Sequence, residues 1–314
     1  MSWRAEPVTV AVPATSANLG PGFDSFGLAL SLHDVVTAQV TTSGLSLAVT
    51  GEGAAAAGAG EQHLVVRAMR LAFARLGGQP PGLALSARNE IPQGFGLGSS
   101  AGAICAGLLA ARALAGAAGR AALPDAAVLA LATEFEGHPD NVAACLAGGL
   151  TIAWQPSGPA GLDGPPGARV ARLEPLAGIE PVLCVPATPL PTVTARQVLP
   201  AQVPHADAAA NSARAALLVA ALTSQSGLLM DATEDFLHQG YRAAAMPATA
   251  RLIAALRAAR LPAVVSGAGP SVLVLTVAGG PGAGQVTEIA DADADGWRVL
   301  PLRVDAAGAA VQDR

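Results

Sequence analysis

The segment Pro92-Gln-Gly-Phe-Gly-Leu-Gly-Ser-Ser-Ala101 constrains this chain more than any other. An apolar run at 83–87 precedes it and reads as a strand, and an Ala/Gly-rich run at 101–118 follows it and reads as a core helix. Glycines let the backbone turn tightly and bring its N–H groups close to a ligand with no Cβ in the way. The helix N-terminus adds unsatisfied N–H groups and the positive end of its dipole, so strand, loop and helix together form an anion site. Ser99 and Ser100 can cap the helix or offer a hydroxyl to a phosphate or to Mg²⁺. A bare G-x-G-S-S fits a plain turn with a serine cap equally well, and both readings stand at this point.

Two familiar phosphate loops are excluded. A Walker loop needs a lysine, and every one of the 18 strongly basic residues here is arginine. The same absence removes any Schiff-base lysine or catalytic Asp/Lys pair. A dinucleotide fingerprint is unconvincing, because Ala101 replaces its third glycine and the polar Arg88-Asn89-Glu90 stretch separates strand from glycines.

A length of 314 residues leaves room for two domains. With 52% apolar and 13% charged residues the chain is not disordered, and its abundance of Ala predicts a core of closely packed small side chains. A net charge of −5 without a basic block argues against nucleic acid and acidic membranes as partners. Cys105, Cys145 and Cys184 are widely spaced with no C-x-x-C, which reads as reduced, buried thiols in a cytoplasmic protein. The opening MSWRAEPVTVAV lacks the apolar core of a signal peptide, and Arg112 interrupts the most apolar helix, so no membrane span is expected.

Further strands are predicted at 8–12, 34–41, 45–49, 150–154, 182–185, 263–265, 272–277 and 298–304. Further helices are predicted at 62–76, 124–135, 207–223, 231–239 and 247–260, with a loop at 52–60. The Pro/Gly-crowded stretch 155–167 divides an N-terminal domain, 1–155, from a C-terminal one, 168–314. Strands and helices mix without a strict βαβ rhythm, which favours an α+β fold.

Three blocks carry a family resemblance. The loop at 92–101, the block Val12-Pro-Ala-Thr-Ser-Ala-Asn18-Leu-Gly-Pro-Gly-Phe-Asp24-Ser-Phe-Gly-Leu-Ala-Leu30, and Ser266-Gly267-Ala-Gly269-Pro-Ser271 resemble, in order, the second, first and third motifs of the GHMP kinases. The first block, with Glu136-Gly-His138-Pro-Asp140-Asn141, Thr192-Val-Thr-Ala-Arg196 and Asp235-Phe-Leu-His-Gln-Gly-Tyr-Arg242, is similar to the homoserine-phosphorylating branch in particular. The resemblance runs from about residue 8 to about residue 277. Gly102, Phe26 and Ser271 depart from the usual Ala, Leu and Thr, all conservatively.

The resemblance implies a two-domain GHMP kinase fold, with an N-terminal ATP-loop domain and a C-terminal α/β sandwich domain. It implies an ATP-dependent kinase with Mg²⁺, acting on L-homoserine in threonine biosynthesis, and a homodimer. Pro92, Gly94, Gly96, Leu97, Gly98, Ser99, Ser100 and Ala101 would bind the nucleotide. Glu136 would hold the metal with Ser100, and Glu134 stays open as its rival. Asn141 and Asn18 would orient the hydroxyl and the γ-phosphate, with Asp140 as a fallback base or, more simply, a helix cap. The substrate is a zwitterion, so it wants a carboxylate for its ammonium, Asp24, and arginine forks for its carboxylate, Arg196 and Arg242. His138, Thr192 and Gly267 would line its pocket. A different GHMP kinase, or a non-catalytic relative that only binds nucleotide or amino acid, is the alternative; His33, His63, His205 and His238 receive no role.

Overall fold

A computed structural model describes residues 3–55, 58, 60–156 and 167–312. The stretch singled out as the interdomain segment falls largely on 157–166, outside the described residues.

Strands β1 (Val8–Ala17), β2 (Phe26–Thr41), β3 (Gly44–Gly51), β4 (Gly82–Asn89), β5 (Leu150–Trp154) and β6 (Arg169–Leu173) belong to one seven-stranded sheet. Strands β7 (Ile179–Pro186), β8 (Ala263–Val265), β9 (Val272–Val277) and β10 (Trp297–Pro301) form a second, in the order β10-β7-β9-β8. The short β11 (Ala310–Gln312) returns to pair antiparallel with β1. Thus β6 and β11, both beyond residue 168, lie in the first sheet.

Helices α1 (Leu64–Arg75), α2 (Ser99–Leu114), α3 (Gly116–Ala122), α4 (Asp125–Glu136) and α5 (Asp140–Ala147) accompany the first sheet. Helices α6 (Thr192–Gln197), α7 (His205–Thr223), α8 (Leu229–Ala232), α9 (Gln239–Arg242), α10 (Pro247–Ala258) and α11 (Ala283–Asp291) follow in the second half. The main core sets Val10, Val12, Val36 and Leu83 of the sheet against Met69 and Phe73 of α1 and Ile104 and Leu108 of α2. The small side chains expected there allow very close approach: a Cβ on Gly107 of α2 would overlap the Val65 carbonyl oxygen of α1. A second core joins the two sheets, with Leu28, Leu30 and Leu97 meeting Leu183, Leu273 and Leu222. A third seats α10 and α11 on the far side of the second sheet through Leu252, Leu256 and Val286. Cys105, Cys145 and Cys184 are buried free thiols.

Two expected boundaries move for physical reasons. Strand β1 runs on past Pro13, where the pairing with β2 shifts register; a bulge is where a strand tolerates a residue with no N–H. The helix predicted at 231–239 is instead α8, a turn and α9. The Asp235 carboxylate accepts the backbone N–H groups of Leu237, His238 and Gln239, replacing the helical pattern with a capped turn. Among the described residues no helix is long and apolar enough to cross a membrane.

Candidate active site

The glycine-rich loop leaves β4 and enters α2 at Gly98, the residue preceding its first turn. Asp34 steadies the exit from β4 by accepting the N–H groups of Glu90 and Ile91, at 2.7 and 2.9 Å. Burial raises the pKa of this carboxyl, against the two backbone hydrogen bonds. Gly96 has φ +74°, and a Cβ there would overlap the Ser266 carbonyl oxygen and lie 2.8 Å from that of Gly269. The third motif, the turn between β8 and β9, is therefore packed directly on the loop. Its Ser266 hydroxyl donates to the Gly96 carbonyl at 2.8 Å and lies within hydrogen-bond distance of Ser16 Oγ, at 2.9 Å. From the first motif, the Thr15 N–H donates to the Leu97 carbonyl at 3.0 Å. Both outer motifs thus hold the backbone of the central one.

At the start of α2, the Ser100 hydroxyl donates to Glu136 Oε2 at 2.7 Å. The Glu136 side chain is 12% exposed, and its burial raises its pKa while the Ser100 hydrogen bond opposes the shift. Glu134, on the same turn, is 73% exposed and reaches Arg75 at 3.7 Å. His138 Nδ1 hydrogen-bonds Asp140 Oδ1 at 2.6 Å, and its Nε2 lies 4.0 Å from Glu136. Burial pulls the His138 pKa down, but the Asp140 hydrogen bond and the two carboxylate charges outweigh it and leave it raised. The same Asp140 oxygen accepts the Asn141 N–H at 2.8 Å. Asp140 is 2% exposed and occupied by its neighbours, so it serves as an organiser of this corner. Asn141 Oδ1 accepts the Thr15 hydroxyl at 2.8 Å, which leaves its Nδ2 as the end free for a ligand beyond a long 3.5 Å contact to Asp140.

The first motif turns sharply, with Asn18, Leu19 and Asp24 all at positive φ. Asn18 holds this turn: its Oδ1 accepts the Asp24 N–H at 2.9 Å and its Nδ2 donates to the Gly267 carbonyl at 2.7 Å. Any orienting role for Asn18 would thus be exercised through Asp24 and Gly267. Asp24 in turn receives a two-pronged pair from Arg196 on α6, at 2.7 and 3.1 Å. That hydrogen bond, opposed by burial, raises the Arg196 pKa. Arg242, at the end of α9, is 1% exposed and donates to the Ala195 carbonyl at 3.0 Å. Burial pushes its pKa down to about 10, which still leaves it a cation at neutral pH. The guanidinium carbons of Arg196 and Arg242 lie 5.8 and 5.6 Å from the Phe23 ring.

The structure therefore brings together the loop, Ser100, Glu136, His138, Asn141, Asn18, Asp24, Arg196, Arg242 and Gly267. It leaves Glu134 in solvent and Thr192 on the exposed first turn of α6. Thr15, Phe23 and His238 join the site without having been assigned roles; Thr15 and Phe23 lie inside the first sequence block and His238 inside the Asp235–Arg242 block, which was the only signal for them. A cavity of about 250 Å³ opens beside the loop, lined by Asp34, His63, Asn89, Gln93, Ser99 and Ser100 among others. The buried His63 Nδ1 has no partner among the described residues.

Residues 63–149 match the GHMP kinases N terminal domain. The chain is 53% identical over 310 residues to homoserine kinase of Streptomyces coelicolor, covering 99% of this chain and 96% of that one. It is 48% identical over 305 residues to homoserine kinase of Leifsonia xyli, covering 97% and 91%. Among solved structures, homoserine kinase from Cytophaga hutchinsonii superposes with a TM-score of 0.82 at 26% identity, covering 99% of both chains. Mevalonate kinase from L. major, at 14% identity and a TM-score of 0.67 over 95% of this chain and 96% of that one, shares the fold. With its two-sheet α+β fold and braced glycine loop, the chain belongs to the GHMP kinases and, within them, to the homoserine kinase family.

Proposed function

We propose that this chain transfers the γ-phosphoryl group of ATP to the hydroxyl of L-homoserine, giving O-phospho-L-homoserine and ADP in threonine biosynthesis. The observation that carries this reading is the Asp24–Arg196 pair, 2.7 Å apart, with Arg242 beside it. One carboxylate and two guanidinium groups match the ammonium and carboxylate of an amino-acid alcohol, not an uncharged sugar. Asp24 and Arg196 neutralise each other in this pair, so the substrate must replace one internal ion pair with two of its own.

The loop N–H groups and the α2 N-terminus would hold the phosphates, and the adjoining cavity would take the nucleoside. Ser100 and Glu136 fit Mg²⁺: they offer hard oxygen donors, and among the described residues no group of three or more His, Cys, Asp or Glu could hold a metal. That suits a metal carried largely by phosphate oxygens, which would neutralise charge on the transferring group. Asn141 presents donors and cannot act as a base, and Asp140 is committed to His138 and Asn141. The protein's share of catalysis is then positioning and charge stabilisation, which phosphoryl transfer chiefly requires. The reading places the protein in the cytoplasm, as a homodimer.

A coupled ADP-release assay with Mg-ATP tests this, comparing L-homoserine with L-serine, L-threonine, mevalonate and galactose. Preference for L-homoserine is expected. Preference for another alcohol would keep the kinase and overturn the substrate.

A further inference from the structure

A buried guanidinium has five N–H donors to satisfy and accepts nothing. Arg242 Nε donates to the Ala195 carbonyl, and Nη1 donates to His238 Nδ1 at 3.0 Å, with a longer 3.4 Å contact to the Gly267 carbonyl. Because arginine can only donate, His238 Nδ1 must carry its lone pair. The ring proton then sits on Nε2, which lies 2.8 Å from the Gly20 carbonyl, an acceptor only. The two neighbours impose the same tautomer from opposite sides of the ring. An imidazolium would turn an N–H against the guanidinium. His238 is fully buried, and its burial lowers its pKa, which keeps the ring neutral. Phe23 stacks on it at 5.3 Å and 29°, and the nearest carboxylate, Asp235, lies 3.6 Å from Nε2.

Gly20 belongs to the same sharp turn as Asp24, and His238 stands between that turn and Arg242. We propose that His238 is a positioning residue for substrate recognition: as the neutral Nε2–H tautomer it anchors the Nη1 edge of Arg242 to the Asp24 turn and leaves Nη2 for the substrate carboxylate. Among the described residues Nη2 donates to nothing else. One imidazole thus sets the spacing between the group that reads the ammonium and the group that reads the carboxylate. This rests on the reading that Arg242 binds the substrate carboxylate.

The test separates the two ends of the ring. His238→Asn can keep an acceptor where Nδ1 stood, whereas His238→Gln can keep a donor near Nε2 but loses the acceptor. Loss of a buried hydrogen bond that aligns Arg242 is expected to raise KM for L-homoserine about tenfold in His238→Gln and His238→Ala. KM for ATP should stay within about twofold of the parent, and His238→Asn should recover most of the L-homoserine KM. Arg242→Ala, assayed alongside, must raise the same KM; if it does not, Arg242 does not read the carboxylate and the positioning role falls with it. If Arg242→Ala raises KM but Asn and Gln behave alike, or KM for both substrates rises together, His238 is only structural. On the unaltered protein, ¹⁵N-histidine NMR at neutral pH should show His238 as the neutral Nε2–H tautomer. An Nδ1–H tautomer or an imidazolium would overturn the proposal even if the variants failed to fold.

Discussion

Glu134 and Glu136 share the last turn of α4, yet only one meets the loop. Two residues along a helix turn the side chain by about 200°, so the pair must face opposite sides. One side is solvent and Arg75; the other is Ser100. The motif alone left both open, because spacing to Asn141 does not state which face of α4 is turned inward. If Glu136 holds Mg²⁺ as proposed, Glu136→Gln should lower kcat/KM at least about 100-fold, since removing a metal carboxylate should cost no less than disturbing its outer partners. Glu134→Gln should stay within about twofold, as a surface change does. Steady-state kinetics across a Mg²⁺ titration would check both. Thr15 shows the limit of sequence reading at this scale: its hydroxyl fixes the Asn141 amide from 126 residues away, a contact no local pattern announces.

At the scale of elements, the glycine loop was legible because strand, glycines and helix are consecutive, and its chemistry is local. What braces it was legible only as a second motif, and the contact itself is tertiary: Ser266 to Gly96, Thr15 to Leu97. Gly96→Ala would meet both strained φ and the Ser266 carbonyl, and should cost about 2–4 kcal/mol of stability. Thermal unfolding measures that loss, and KM for ATP should rise with it; an unchanged Tm would mean the third motif does not clamp the loop. The strands that went unpredicted were short. β6 and β11 are five- and three-residue strands with few buried side chains, so no period-2 pattern marks them. The helix expected at 231–239 yielded to one carboxylate, Asp235, whose three hydrogen bonds outcompete the helical pattern.

Across the whole molecule, the segment after β10 crosses back onto the first sheet. The Asp305 N–H donates to Ala29, the Ser31 N–H to Arg303, and Asp305 Oδ2 meets His33 Nε2 at 2.7 Å. That hydrogen bond raises the His33 pKa; Asp305 ends up lowered, because hydrogen bonds from His33, Gly308 and Ala307 outweigh its burial. A raised histidine gives its full stabilisation below its ordinary pKa and loses it as pH rises through the raised one. A lowered carboxylate gives its share above its ordinary pKa and loses it as pH falls through the lowered one. The strap is therefore tightest between roughly pH 4 and pH 6.5. His33→Gln should cost about 0.5–1 kcal/mol near pH 5.5 and less near pH 8.5, the small size reflecting a pair only partly withdrawn from solvent. Equal losses at both would show that charge plays no part.

The same return of the chain closes a molecule in which the first motif, α6, α9 and the third motif meet through Asn18, Asp24, Arg196, Arg242 and Gly267. On the proposed reading, Asp24, Arg196 and Arg242 read both ends of a zwitterion. The most direct measurement is kcat/KM for L-homoserine against 4-hydroxybutyrate, which lacks the ammonium, and 3-amino-1-propanol, which lacks the carboxylate. A site that pairs both charges of its substrate, with Asp24 and Arg196 half-buried and Arg242 buried, rejects an analogue that leaves one unpaired, so each should fall by at least about 10²-fold. Turnover of either analogue within about tenfold of L-homoserine would contradict the assignment of these charges to the substrate.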